Sequence, residues 1–273
     1  MKKISLIIFA VLFISGVSFG QKMEVMEESF NIENEPFTVE IDIEAGEFEI
    51  RKSDEPGVLK MRVEYRSNRT DVQYKSRSDR FSLDIHNENW RDGDNSRLKA
   101  YIYLPDDRVI DLESRLKAGE LDCELGGLSL RNVDIRTYAG EADIRFSEPN
   151  KVAMQLLDIN CSVGEVNLKH LGNARFERAE INSGIGELTA DFSGSYKSDG
   201  KVRLDLDIGE TRITLPENLG VRLKVNKAGF LSSVNIGGDF DKRNGYYYST
   251  AYDNSKYNLN MMISTGIGEL SIR

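Results

Sequence analysis

A Gly-Glu dipeptide opens a short run of alternating apolar residues seven times in this chain. The copies are Ala45-Gly46-Glu47-Phe48, Ala118-Gly119-Glu120-Leu121, Ala139-Gly140-Glu141-Ala142, Val163-Gly164-Glu165-Val166, Ile185-Gly186-Glu187-Leu188, Ile208-Gly209-Glu210-Thr211 and Ile267-Gly268-Glu269-Leu270. From Gly119 to Gly209 the glycines follow one another at intervals of 21, 24, 22 and 23 residues. One such unit cannot bury its own apolar face, so a period in this range predicts stacked rungs. Around the repeat, alternation with period two dominates, as in Phe37-Val39-Ile41-Ile43 and Leu204-Leu206-Ile208. That pattern predicts strands with one buried face. The predicted fold is therefore all-β: a β-solenoid, or toast-rack-like stack of short strands, with a repeat of about 20–24 residues. Gly119, Gly140, Gly164, Gly186, Gly209 and Gly268 are read as structural corners, where a tight turn or close backbone approach forbids a Cβ.

The larger intervals interrupt this rhythm. Gly46 and Gly119 lie 73 residues apart, near three periods, and Gly209 and Gly268 lie 59 apart. A degenerate copy, Val225-Asn226-Lys227-Ala228-Gly229-Phe230, keeps the phase in the second interval. A turn-rich excursion over 237–245 and a pair of strands over 246–252 and 257–263 are expected after it. The final residues, through Gly268-Glu269-Leu270, read as a rung whose edge is exposed unless covered.

The N-terminus reads as an address. Lys2 and Lys3 precede an apolar run over 4–17, and small Ser18 and Gly20 suit cleavage before Gln21. This predicts a secretory signal peptide over 1–20, because the run is shorter than the ~20 residues of a spanning helix. Residues 21–273 then form a single β-repeat domain, with N-terminal strands and longer loops over 37–117 and regular rungs over 118–273. A hairpin tip is expected at Asp92-Gly93. Localisation is expected to be the periplasm or cell surface, with no transmembrane segment after cleavage. Without Lys2 and Lys3, 34 basic residues face 45 acidic ones. That balance argues against nucleic acid and against direct adsorption to anionic lipid. The two cysteines, Cys123 and Cys161, are expected as buried free thiols. Their glycines are two rungs apart, beyond the ~7 Å reach of a bridge.

Several of these segments resemble a known group. They are Asp207-Ile208-Gly209-Glu210-Thr211, Leu215-Pro216-Glu217, Ala228-Gly229-Phe230-Leu231 and Thr265-Gly266-Ile267-Gly268-Glu269-Leu270. The stretch from Tyr101 through Pro105-Asp106 to Ala118-Gly119-Glu120-Leu121 has the same character. Together they resemble the bacterial toast-rack and putative-adhesin β-repeat domains, which are related to the C-terminal domain of cell-wall-active antibiotic response proteins. The resemblance covers roughly 100–273 and implies a stack of short strands around a coil. It carries over no catalytic residues.

The residues themselves offer little catalytic chemistry. The two histidines, His86 and His170, stand in unrelated contexts. Gly184-Ile185-Gly186 imitates a dinucleotide fingerprint but no helix follows it. A zinc site from Cys123, Cys161 and His170 lacks a fourth ligand and close spacing. No catalytic residue and no cofactor is expected, and the chain is read as a non-enzyme. Stacked corners would align Glu120, Glu141, Glu165, Glu187 and Glu210 in a ladder. Solvated corner residues are the main reading of that ladder, and a weak calcium or basic-partner edge is the other. The tyrosines Tyr246, Tyr248, Tyr252 and Tyr257 are a second candidate surface, for protein or carbohydrate. The leading functional expectation is an exported, adhesin-like binding scaffold whose partner is an envelope protein or surface glycan. The alternatives are a periplasmic regulator of envelope-stress signalling that binds a membrane partner, and a carbohydrate-active enzyme on a solenoid.

Overall fold

The structure, a computed structural model, describes residues 23–87, 98–227 and 231–273. The signal segment 1–20, the hairpin tip at 92–93 and residues 228–230 of the degenerate copy lie outside the described residues. The N-terminal portion contains β1 (Met23–Asn31), β2 (Phe37–Lys52), β3 (Val58–Arg66), β4 (Thr70–Ser76), β5 (Arg80–Asn87) and β6 (Lys99–Leu104). The regular portion contains β7 (Ile110–Glu124), β8 (Leu130–Arg145), β9 (Met154–Lys169), β10 (Phe176–Asp191) and β11 (Gly200–Thr214). Then come β12 (Gly220–Lys227), β13 (Ser232–Ile236), β14 (Phe240–Arg243), β15 (Tyr246–Ser249) and β16 (Asn258–Ile272). Among the described residues these form one mixed sheet, in which β2, β7, β8, β9, β10, β11 and β16 are parallel neighbours.

Each of those seven strands carries one Gly-Glu copy about two-thirds of the way along and must bend there. In β9, beyond buried Met154 at its start, the buried residues are Leu157, Ile159 and Cys161 approaching the corner and Val166 and Leu168 after it. A straight strand would put these two sets on opposite faces. Both nevertheless belong to one core. Connection length says the same. Straight, the 16 residues of β9 would span ~50 Å. The six residues 170–175 must return the chain to Phe176, which pairs with Met154. That return limits the distance from Met154 to Lys169 to about 30 Å. The strand therefore folds into two arms that meet at the glycine, and the connector closes the coil. Connectors stack as well: Asn150 N–H donates to Asn173 C=O at 2.8 Å and Gly172 N–H to Ser193 C=O at 2.9 Å. Fully buried Asn150 holds the turn between β8 and β9. Its side chain accepts from Leu130 N–H (2.9 Å) and donates to Leu130 C=O (2.7 Å) and Val152 C=O (2.9 Å).

Why only glycine serves at the corner is visible in the stacking. The seven corner glycines lie in register, each beside the next. Their φ angles run from +128° to +147°, a region that a Cβ disfavours. A Cβ on Gly164 would sit 1.7 Å from the Gly140 carbonyl oxygen, and one on Gly186 1.8 Å from that of Gly164. Pairing continues through the bend, so the expected pairs of short strands are single bent strands.

Core columns follow from the register. One runs Val133, Leu157, Ala179, Val202 and Met261 in the first arm, and another Ile144, Leu168, Ala190, Ile213 and Ile272 in the second. Cys123 sits in the second-arm column between Ile50 and Ile144, and Cys161 in the first arm between Thr137 and Ser183. Both thiols are buried and free, on different arms. Burial pushes the Cys123 thiol well above the ordinary thiol range.

The long intervals are not extra rungs between copies. Gly46 stacks directly on Gly119. The intervening chain instead splits over the two arms of β2. β5 and then β4 extend the first arm, while β6 and β3 extend the second, with β1, from before β2, pairing on β3 at its edge. The two extensions meet where Phe30 lies 5.6 Å from Tyr74 and 5.0 Å from Phe81, ring centre to ring centre. At the other end the expected exposed final rung is corrected. β16 lies inside the sheet, between β11 on one side and β12 and β13 on the other. The region of the degenerate copy does supply rung material, since β12 and β13 both pair with β16, but beyond β16 rather than before it. The expected strand pair after it is also corrected. β15 pairs with β12 and β14, not with β16. Within the excursion, Asn244 and Gly245 at φ 50° and 80° make the tight turn of a β14–β15 hairpin.

Two substitutions separate corner packing from backbone preference. Gly164→Ala should lower the unfolding free energy by about 3 kcal/mol or more, because backbone must move. Gly245→Ala, whose Cβ would meet nothing within 4 Å, should cost only about 1 kcal/mol. Urea unfolding of the two variants measures the difference.

Candidate functional site

The bend that buries both arms turns the residue before each corner glycine outward. Val163, Ile185, Ile208 and Ile267 are therefore 47%, 53%, 47% and 48% exposed. They are in register on adjacent strands, so they form an apolar ridge ~14 Å long at the rung spacing. Toward the N-terminal end the same column continues as Ala139, Ala118 and Ala45. A continuous apolar ridge on a soluble surface marks contact with a partner far more than a scattered exposed leucine does.

Two residues beyond the ridge runs the glutamate column. Glu47, Glu120, Glu141, Glu165, Glu187, Glu210 and Glu269 are in register. Lys99 answers Glu47, and Arg212 answers Glu187 (3.4 Å) and Glu210. The carboxylates follow one another along the stack instead of converging. Among the described residues no group of three His, Cys, Asp or Glu side chains is arranged to hold a metal. What the column does supply is a negative border beside an apolar ridge.

The tyrosines divide. Tyr246 and Tyr248 lie 6.4 Å apart and Tyr248 and Tyr252 4.9 Å apart, as one cluster on the outer face of the C-terminal cap. Tyr257 stands apart, half-buried against the core with Lys256 over its ring at 5.0 Å.

The other sequence candidates do not assemble into chemistry. His170 Nδ1 lies 3.0 Å from Ser193 Oγ and 3.3 Å from the Asp191 carboxylate. Ser193 Oγ donates to Asp191 at 2.8 Å. Serine and aspartate thus share one ring nitrogen, and the hydroxyl proton already belongs to the carboxylate, so no relay to a nucleophile exists. Cys123 and Cys161 are buried on different arms and His170 is on an exposed connector, so the three do not meet. The outer face of the second arm is a satisfied charge network. Arg51 meets Asp122 at 2.7 Å, Arg145 meets Asp122 at 3.0 Å and Lys169 meets Asp143 at 2.6 Å.

The outer face of the first arm is less balanced. Glu40, Glu113, Asp134, Asp158 and Glu180 form one row across five adjacent strands. Burial, then the neighbouring charges of Asp134 and Glu180, hold the Asp158 carboxyl above the usual carboxylate range, against the opposing hydrogen bond from Asn160.

Comparison with known proteins agrees with this architecture. The family model for the N-terminal domain of toast_rack (DUF2154) matches residues 17–156, over half of the chain. The model for the C-terminal domain of LiaF, of the cell wall-active antibiotics response, matches residues 162–272. The chain belongs to the toast-rack family. Among solved structures it is similar to a "putative cell adhesion protein" from Clostridium sporogenes, at 20% identity and TM-score 0.44, over 91% of this chain and 99% of that one. It is also similar to a "putative adhesin" from Bacteroides fragilis, at 11% identity and TM-score 0.41, over 92% of this chain and 97% of that one. No curated protein matches the chain.

Sequence reasoning passed over the ridge, although its residues stood in every copy of the repeat. The available signal was a bulky aliphatic at the position before the last four Gly-Glu pairs, where a solvated corner needs none. It also passed over the cations around the tyrosines.

Asp158→Asn tests the crowded row. A carboxyl whose folded pKa is raised destabilises the fold once ionised, and that penalty vanishes as pH falls below the ordinary value of 3.8. The variant should melt about 2 °C higher at neutral pH, in keeping with a cross-strand like-charge term below ~1 kcal/mol. The gain should disappear near pH 3, as thermal melts across pH will report.

Proposed function

We propose that this protein is a non-enzymatic, adhesin-like binding scaffold at the cell envelope. In this reading the ridge of Val163, Ile185, Ile208 and Ile267 receives a partner protein segment that is apolar along its centre and basic along one side. The observation that carries the reading is the ridge itself, four in-register aliphatics about half exposed on a rigid corner. Its border of Glu165, Glu187, Glu210 and Glu269 favours lysine or arginine on the partner and disfavours a second copy of the same acidic edge. Family membership supports an envelope setting, as does the basic and apolar N-terminal segment over 1–20. No helix among the described residues is long and apolar enough to cross a membrane.

A second reading has its own support. The ridge lies within residues 162–272, the part that matches the LiaF C-terminal domain. A regulator that docks an envelope signalling protein would use the same surface. Site-specific photo-crosslinking in cells distinguishes partners at the ridge from general stickiness. A crosslinker at Ile185 should capture one defined envelope protein, and Ile208→Glu should abolish that capture. A crosslinker at Thr189, past the corner, should not capture it. Equal capture from both positions would reject the ridge as the binding surface, and a sensor or transporter as captured partner would favour the signalling reading.

A further inference from the structure

The acidic row on the outer face of the first arm changes sign at β11. Beyond Glu180 the same row reads Arg203, Met262 and Lys224, and the row beside it reads Lys201, Asn260, Arg222 and Tyr248. Tyr246 pairs with Arg243 on β14, the far edge. The chain carries a formal net charge of −9, yet this end of one face is cationic. Lys201, Arg222 and Lys224 have no carboxylate partner among the described residues, whereas cations elsewhere on the two arms are mostly answered by aspartate or glutamate.

Tyrosine rings take the place of those carboxylates. Arg222 lies 5.3 Å and Lys224 5.5 Å from the centre of the Tyr246 ring, and Arg243 lies 5.0 Å from that of Tyr248. A ring face attracts a cation without neutralising it. The rings hold these cations in place without neutralising them, whereas Arg203 in the same row is answered by Asp205 at 2.7 Å. Arg243 is shared with Asp253 at 3.4 Å and Asp241 at 3.6 Å, so Arg222 and Lys224 carry most of the open charge. From Lys201 on β11 to Arg243 on β14 the platform crosses four strand spacings, ~19 Å.

We infer that this platform binds a linear acidic polysaccharide, with successive anionic sugars meeting Lys201, Arg222, Lys224 and Arg243. Its length suits a chain of regularly spaced anions better than a single phosphate. Arg222 and Lys224 both lie against the Tyr246 ring, and Tyr248 packs edge-on against Tyr252, so these rings are occupied by protein contacts where single-stranded nucleic acid would need them for base stacking. Among the described residues Met262 is the one markedly exposed aliphatic of these two rows, so they lack the apolar wedge of a membrane-docking surface. The carboxylate row from Glu40 to Glu180 borders the platform on one side and repels a polyanion from that half of the face. Overall negative charge therefore does not decide what this end of the molecule attracts.

Titration of the full chain with polygalacturonate tests the inference, with neutral dextran, oligothymidylate and phosphatidylglycerol vesicles as comparisons. Polygalacturonate should bind, and binding should weaken as salt rises. The double variant Arg222→Gln, Lys224→Gln should lose about tenfold in affinity or more, with Lys75→Ala, a cation on β4 remote from the platform, behaving as wild type. Variants of the ridge should bind polygalacturonate unchanged, which separates this site from the proposed partner surface. Should the double variant not fold, Lys201→Gln at the rim should still weaken binding. The inference is overturned by absent or salt-independent binding of polygalacturonate, by unchanged affinity in the variants, or by tighter binding of the vesicles or of oligothymidylate.

Discussion

Everything in this fold rests on how closely each corner glycine approaches the one before it. The Cα of Gly164 lies against the Gly140 carbonyl, and the same contact recurs from Gly119 through Gly268. Strand pairing runs through the corner, and the glycines let neighbouring backbones approach closely enough to keep it. Because each strand bends at the same register position, both arms can face one core while short connectors close each turn. A side chain at the column would push rungs apart along the whole corner, not at one site.

The same bend explains where the protein can be read by others. It turns the residue before glycine outward, so an aliphatic chosen there becomes surface. It aligns whatever follows glycine, so glutamate becomes a border. Away from the corner, the sheet's outer rows inherit the register, and side chains 20 or so residues apart in sequence become neighbours at strand spacing. In this way a repeat that is structural in origin sorts charge and apolarity into long stripes. The ridge, the acidic row and the cationic cap are three such stripes on one rigid frame.

The repeat was legible because its physics is local. Glycine, the alternating apolar residues and the 21–24-residue spacing each state their requirement within one unit. What escaped was order in space. Nothing local tells β16 to enter between β11 and β12, because a parallel rung accepts any neighbour with matching columns. The 73-residue interval from Gly46 to Gly119 keeps the phase by length alone, and in fact its chain leaves the coil to extend its two arms. Asn244-Gly245 was a readable hairpin signal overlooked inside a turn-rich stretch. The candidate surfaces were legible only in part. The glutamates and tyrosines appear as chemistry in the sequence, whereas Ile185 or Ile208 looks like core until the corner is known to face solvent. Arg222 and Lys224 look like any solvated pair until their lack of carboxylate partners is seen in three dimensions.

The central claim is that each repeat is one strand folded sharply at glycine. Spin labels at Gln155 and Asn167, on the two arms of β9 on either side of Gly164, measure that fold directly by pulsed electron resonance. A bend tight enough for the 170–175 connector places the two labelled positions within about 25 Å of each other. A distance near ~40 Å, the span of a straight strand over that stretch, would contradict it.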